Sequence, residues 1–511
     1  MPEKIEKKIN VPEEEPLKEK SNRTDEKTDE FVNKSFYQKL CYAKSNITVE
    51  PILAGLIIPS MLARLAVQNL NLDKTCRVKL SLGDEICDGL IERKGNLTHE
   101  ADVQQIISVI ESWKSVIQTA IPTILVIFMG AWSDRTGNRK ICILLPIFGE
   151  FMVCICNLLS TYFFYEIKLE VTMFLEAFFS AITGGWVMVY LGVFSYISDI
   201  TDEKSRTFRV GLVNLCMTAG VPIGTALSGI LLKLWGYYGI FTISGTIYLI
   251  TFLYGFFYLS SNTKPSSGDN EKIKPPTCSD LVTLVKETGQ AAFKKRESNY
   301  RKKILLTLLV VAIVYGPNHG ERIIFYMYLR YKLKWDAVKY SLYSTYSIIT
   351  HSLGALFSIS VFSKRWGFHD SMLCLISVVS KLAGSLLIIF VQNDMHMFMV
   401  TLVEILNATT FTSLRSMASK LVPSEEMGKM NSLFSLVETL AALMFDPTYS
   451  AMYANTILLF SGAVFVYSAI MTLPAIVILL WFFTQHRRET SQKQLEAEKE
   501  KALVVCEGVP E

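Results

Sequence analysis

The sequence predicts an all-α membrane protein whose twelve transmembrane helices form two pseudo-symmetric halves of six. Three observations carry that expectation. Of 511 residues, 50% are hydrophobic and 19% charged, with a mean hydropathy of +0.31. Apolar runs recur that match the ~20 residues a helix needs to cross a bilayer. A short charged loop in the first half returns at the corresponding place in the second. A soluble chain this long would split into domains with short apolar stretches.

Residues 1–48 mix Lys and Glu with few apolar side chains, the composition of a disordered tail, and hold no signal-peptide core. The first bundle, 49–260, contains runs at Val49–Leu70, Ile106–Gly130, Ile141–Thr161, Val171–Ile197, Phe208–Leu234 and Tyr238–Leu259. Residues 261–303, with "KIKPP" and "FKKRESNYRKK", form a basic linker. The second bundle, 304–484, contains Ile304–Met327, Val338–Phe362, Ser371–Val391, Met397–Leu421, Met430–Tyr453 and Ile457–Phe483. Residues 485–511 are charged and read as a solvated tail. Backbone groups in lipid must be satisfied within their own segment, which makes each run a helix.

Lys and Arg gather at 132–140, 200–209, 261–303, 363–365 and Arg487–Arg488. The positive-inside rule places those loops and both termini in the cytoplasm. Arg330, Lys332, Lys334 and Lys339 run against it, on a loop that would lie outside. Of the N-x-[ST] triplets at Asn22, Asn33, Asn46, Asn96 and Asn407, this topology exposes only Asn96 to glycosylation. Of ten cysteines, only Cys76 and Cys87 fall in an outer loop, where an oxidising compartment permits a disulfide. Plasma membrane is the default location, with a lysosomal or endosomal membrane as the alternative.

"WSDRTGNRK" (132–140) and "FSKRWGFHD" (362–370) each join the second and third runs of their half, aligning Ser133 with Ser363, Arg135 with Arg365 and Gly137 with Gly367. Two parallel six-helix halves joined by a basic linker resemble the major facilitator superfamily, with a substrate site at the midplane between halves. "GAWSDRTGNRK" is similar to that superfamily's loop signature. The resemblance implies a gating brace made of Gly130, Asp134, Arg135, Gly137, Arg139 and Lys140. A purely topogenic loop is the alternative.

A narrower likeness follows from "SYISDITDEKSRTFRVG" (195–211), "GVPIGTALSG" (220–229), "GERIIFYMYLRYKLKW" (320–335) and the stretch 413–443. These look like solute carrier family 46, the group that contains the proton-coupled folate transporter. The resemblance implies a coupling and affinity role for Arg415 and a gating role for Asp134. Asn138 stands where that transporter has an arginine, and Asn214 where it has its coupling glutamate. Asn318 stands at its functional histidine, with His319 adjacent. The family's bridging cysteine is missing from the loop after the seventh run, which favours a Cys76–Cys87 pair.

Ionisable residues inside a bilayer are costly and mark function by default. Arg64, Glu150, Glu176, His351, Lys381, Glu404, Arg415, Glu438 and Asp446 all fall within the runs. On a continuous tenth helix Glu404 and Arg415 would share one face. Arg415 is then the anchor for an anionic group, and Glu404 or Glu438 the protonatable site. Glu438 reads equally as a structural ion pair, and Glu150 reads as a structural ion pair first, with a functional carboxylate as the alternative. His351 is a pH switch or a helix-contact residue. Tyr340, Tyr343 and Tyr346 form a stripe at helical spacing that either stacks a flat substrate or belongs to an interfacial belt. Tyr343 and Tyr346, with Tyr315, Asn318, Asn214, Arg415 and Glu404, make up the expected substrate site. Gly316, Pro317 and Gly320 predict that the seventh helix kinks or unwinds near its outer end and could hinge there, with simple tolerance of Pro in a membrane helix as the alternative. No G-x-x-x-x-G-K-[ST] loop or soluble catalytic unit is present in the sequence. The expectation is a transporter, not an enzyme, taking a small organic anion with protons and using no cofactor, metal or nucleic acid. A facilitator and a non-cycling receptor are the alternatives.

Overall fold

The computed structural model describes residues 48–201, 203–260, 300–422 and 427–507, all of them helix or connection with no strand. The sequons at Asn22, Asn33 and Asn46 and most of the basic linker lie outside the described residues, as do the side chains of Asp134 and Arg135.

In the first half, α1 (Glu50–Lys74) runs into a π-turn at Thr75–Lys79, and the short α2 (Asp84–Ile91) caps the following loop. α3 (Leu97–Thr136) and α4 (Arg139–Tyr162) meet at Gly137, whose φ of 68° makes a left-handed turn. One apolar run is split into α5 (Leu169–Ile182) and α6 (Gly185–Ile200) at Gly184, with φ 87°. α7 (Glu203–Tyr258) has 56 residues, roughly 84 Å of helix at 1.5 Å per residue. That is over twice the ~30 Å hydrocarbon thickness. Its backbone accordingly breaks at Gly236 (φ 60°, ψ −165°), which separates the two expected spans.

In the second half, α8 (Tyr300–Leu333) is followed by α9 (Ala337–Phe357), which continues as a π-turn through Arg365. α10 (Asp370–Ile389) precedes a divided helix, α11 (Asp394–Val403) and α12 (Thr409–Lys420). α13 (Met427–Phe460) and α14 (Ala463–Glu507) complete the chain. α14 carries helix far into the expected tail, as a Lys-, Glu-, Gln- and Ala-rich segment favours. Nine described helices are long and apolar enough to cross a membrane. The other three expected spans are the second arm of α7, the divided α11–α12, and α13 with Glu438 and Asp446.

α8 is helical throughout, so of the kink or unwinding expected at Gly316, Pro317 and Gly320 the unwinding does not occur. The glycines serve packing instead. A Cβ on Gly316 would lie 2.3 Å from Phe445 Cδ2, and one on Gly320 2.6 Å from Tyr449 Cγ.

The core is continuous across both halves at the end that bears Cys76 and Cys87. There Leu65, Ile107 and Val103 join Tyr326, Trp335, Tyr449 and Phe465. At the opposite end it divides into one cluster within each half. The halves are therefore closed at the disulfide end and parted at the other.

Candidate functional site

The seal at the disulfide end is polar as well as apolar. Arg330 donates to Glu100 at 2.5 Å and to Asn69 at 3.2 Å, Tyr326 to Asn69 at 2.8 Å, and Tyr453 to Gln104 at 2.8 Å. Each contact joins one half to the other. The Cys76–Cys87 disulfide pins the loop beside it.

Between the halves, two arginines face the open space. Arg64, mid-way along α1, and Arg322, about two-thirds of the way along α8, are both solvent-accessible although each lies within an apolar helix. They lie within electrostatic range of each other and both act on Tyr340. Among the described residues neither has a carboxylate partner. One face of α8 carries Tyr315, Asn318, His319 and Arg322, the i, i+3, i+4, i+7 pattern of a helical stripe. Tyr315 stacks on His319 (centroids 5.6 Å) and meets Phe411 edge-on. His319 Nδ1 is 2.8 Å from Asp446 Oδ1. His351 lies near Arg322 and Lys381, with its Nε2 buried and unpartnered among the described residues.

The divided helix removes the expected alignment of Glu404 with Arg415. Residues 404–408 are a non-helical turn, so their separation no longer returns them to one face. Neighbouring hydroxyls satisfy the freed carbonyls: Ser377 Oγ donates to Leu406 O at 2.6 Å and Ser380 Oγ to Val403 O at 2.6 Å. Glu404 is buried and takes Lys381 Nζ at 3.1 Å, while Lys381 also reaches Glu321 at 2.7 Å. Arg415 pairs instead with Glu438 at 2.9 Å and lies over the Phe434 ring. Asn407, the buried sequon, belongs to the same turn.

Tyr343 is 3% exposed, ringed by Trp335, Phe398 and Phe325, with its hydroxyl 2.9 Å from Thr401. It is a core residue with no ring face left for a ligand. Tyr346 is half-buried against Phe398, and Asn214 is exposed on α7. At the parted end Arg139 meets Asp199 at 2.9 Å and Ser133 at 3.2 Å, and Lys140 donates to Phe256 O. Gly130 lets α3 approach Leu191 of α6. Asn96 is exposed at the start of α3.

Sequence reasoning passed over Arg322, Glu321, Lys114 and Asp199. Arg322, Glu321 and Lys114 lay within apolar runs, so the rule that singled out Arg64 applied to them equally.

A helical bundle of two halves around a cationic cleft, closed at one end, is the build of a major facilitator transporter. The Major Facilitator Superfamily profile matches residues 90–445, and the chain belongs to that superfamily. Within it the chain is similar to members of solute carrier family 46, and it is a membrane transporter rather than an enzyme. It is 24% identical to the lysosomal proton-coupled steroid conjugate and bile acid symporter SLC46A3 of Gallus gallus, over 71% of this chain and 77% of that one. It is 21% identical to the probable peptidoglycan muropeptide transporter SLC46 of Drosophila melanogaster, over 84% of each. Among solved structures, the human organic anion transporter MFSD10 superposes with a TM-score of 0.55 at 14% identity, over 84% of this chain and 98% of that one.

Proposed function

We propose that the protein is a secondary active transporter that moves a small organic anion by proton symport and alternating access. Arg64 and Arg322 grip the anion between the halves, with Tyr315 and Tyr340 beside it. One observation supports this above the others: each half contributes an accessible arginine that no carboxylate of the protein matches among the described residues. A guanidinium held in a low-dielectric cleft calls for a counter-charge, and it grips carboxylate, sulfonate or phosphate through two parallel bonds. An anion held from both sides pulls the halves together, which is the closure that alternating access requires. Relatives named for bile acids, steroid conjugates and muropeptides fit a cleft that reads charge first and shape second. The termini lie in the cytoplasm, and a lysosomal membrane suits the relatives whose names carry that location.

The test is uptake of radiolabelled taurocholate, estrone sulfate and folate into proteoliposomes holding the full chain, with and without an inward proton gradient. Accumulation of at least one anion above equilibrium is expected, and Arg64→Ala and Arg322→Ala should each reduce its uptake roughly ten- to hundredfold. Equilibration without accumulation would mark a facilitator, and binding without flux a receptor. Uptake indifferent to both arginines would refute the anion site.

A further inference from the structure

A space of about 280 Å³ lies between α1, α3, α4, α5 and α7 of the N-terminal half and is closed on its remaining side by Ile323 and Met327 of α8. A water molecule takes about 30 Å³, so the space admits several. Its charged lining is Arg64 from α1, Glu111 and Lys114 from α3, Glu150 from α4 and Glu176 from α5. Cys154 of α4 and Tyr248 of α7 are its other titratable groups, and α6 lines none of it. Lys114 serves two of the three carboxylates, at 2.8 Å from Glu176 and 3.5 Å from Glu111. Glu150 has no cation partner among the described residues. Its sole hydrogen-bond partner among the described residues is Ser180, whose hydroxyl donates at 3.0 Å. That contact depends on a close approach of two helices, because a Cβ on Gly149 would lie 2.1 Å from Thr183 Oγ1. Two helical turns along α4 from Glu150, Asn157 is fully buried and lines the space with both amide atoms unpartnered among the described residues. The expected structural ion pair at Glu150 is absent among the described residues, and a cavity with charged groups in its wall stands beside it.

We infer that Glu150 is the proton-binding residue of the N-terminal half, and that Arg64 becomes its partner when the proton leaves. The carboxylates at 404 and 438 are already paired with Lys381 and Arg415, and Asp446 is hydrogen-bonded to His319. An unpaired carboxylate deep in the bundle is costly, and the one hydrogen bond that Ser180 donates does not replace a cation, so the neutral acid is favoured while no cation is at hand. On deprotonation the O–H bond of Glu150 breaks, the proton passes to water in the cavity, and a negative charge appears in a space that Arg64 also lines. Arg64 then turns from the anion to Glu150, so one proton and one anion share a single guanidinium. In the repeat register that sets Ser133 on Ser363, Glu150 falls one residue from Lys381, whose two carboxylates are the corresponding feature of the other half. The exchange of partners rests on Arg64 being the anion anchor; the proton site does not.

Infrared difference spectra of the purified full chain, taken between about pH 8 and about pH 5, test it without any substrate. A protonated-carboxyl band should grow on acidification, vanish in Glu150→Gln and persist in Glu404→Gln. Ser180→Ala and Arg64→Ala each remove a group that favours the ionised form, so each should raise the band's midpoint by about one pH unit. Where Glu150→Gln does not fold, Glu150→Asp keeps a carboxyl and should shift the band's frequency. A band unaltered by substitution at 150, or a midpoint unmoved in both partner variants, overturns the proposal. Taurocholate or folate binding that survives Arg64→Ala while the midpoint moves would remove the anchor and leave the proton site standing.

Discussion

Arg330 Nε donates to Glu100 Oε1 at 2.5 Å, tying α8 of one half to α3 of the other in a pair almost wholly shielded from water. Removing one member of such a pair strands the other, at a typical cost of about 3–5 kcal/mol. Glu100→Gln should therefore open the disulfide end rather than unfold the bundle, because the cost falls on the closed arrangement alone. A cysteine replacing Ser108, which is fully buried beside Met327 of the other half, reports the change. Its labelling by a membrane-impermeant maleimide should rise in the Glu100→Gln background and fall back when Glu100→Arg is combined with Arg330→Glu. Unchanged labelling would mean that the apolar seal suffices.

The same pair explains why this end tolerates charges that the positive-inside rule disfavours. Arg330 is matched by Glu100, Lys339 by Asp394, and Arg77 by Asp73, Asp84 and Asp88. The expected spans were legible because lipid forces each apolar run to satisfy its own backbone. Gly137 was legible as a turn, and Gly367 repeats it with φ 65° against 68°. The break at 404–408 was not. Glu404 to Ala408 holds no Gly or Pro, and what opens the helix is tertiary: Ser377, Ser380 and Lys381 of α10 offer its groups better partners. The pairing of Arg415 with Glu438 rather than an open cleft was likewise a matter of which helix faces which, and one strand of sequence does not carry that.

Lys381 stands between Glu321 and Glu404, so Lys381→Met should leave two carboxylates facing a space without a cation. A loss of stability comparable to that of any broken buried pair, about 3–5 kcal/mol, is expected in detergent melts. Adding Glu321→Gln and Glu404→Gln should recover most of it. Gly384→Ala offers an independent check, since its Cβ would lie 2.0 Å from Glu404 Cγ and must push that carboxylate off Lys381. Full stability in both variants would show that the triad contributes nothing to the fold.

The loop closed by Cys76 and Cys87 spans 11 residues and carries Asn96 exposed shortly after it. Chain-entropy reasoning gives a bridge of that span about 3 kcal/mol. Cys87→Ser should lower the melting temperature, and reduction of the wild type should lower it equally. Glycosidase treatment of protein from a eukaryotic host should sharpen its gel band in the wild type but not in Asn96→Gln. Sugar at Asn22, Asn33 or Asn46 would place the termini outside and reverse the assignment of the two ends.

At the parted end each half carries its own brace, Arg139 to Asp199 at 2.9 Å between α4 and α6, and Asp370 to Lys420 at 2.7 Å between α10 and α12. The signs are exchanged while the helices joined correspond, and each brace follows a left-handed glycine, Gly137 or Gly367. A duplicated unit would keep this geometry for a shared task, which here is holding the second arm of a divided helix, α6 or α12, in place as the end closes. Gly137→Ala and Gly367→Ala should then cost the same, about 1–2 kcal/mol each, because a side chain at either φ meets the same backbone strain. Asp199→Asn and Lys420→Met should both slow transport several-fold while leaving anion affinity unchanged, since neither residue faces the central arginines. Binding of labelled anion at equilibrium, measured beside the rate of uptake, separates the two effects. A variant that weakens binding as much as it slows uptake would make the braces part of the site and not of its movement.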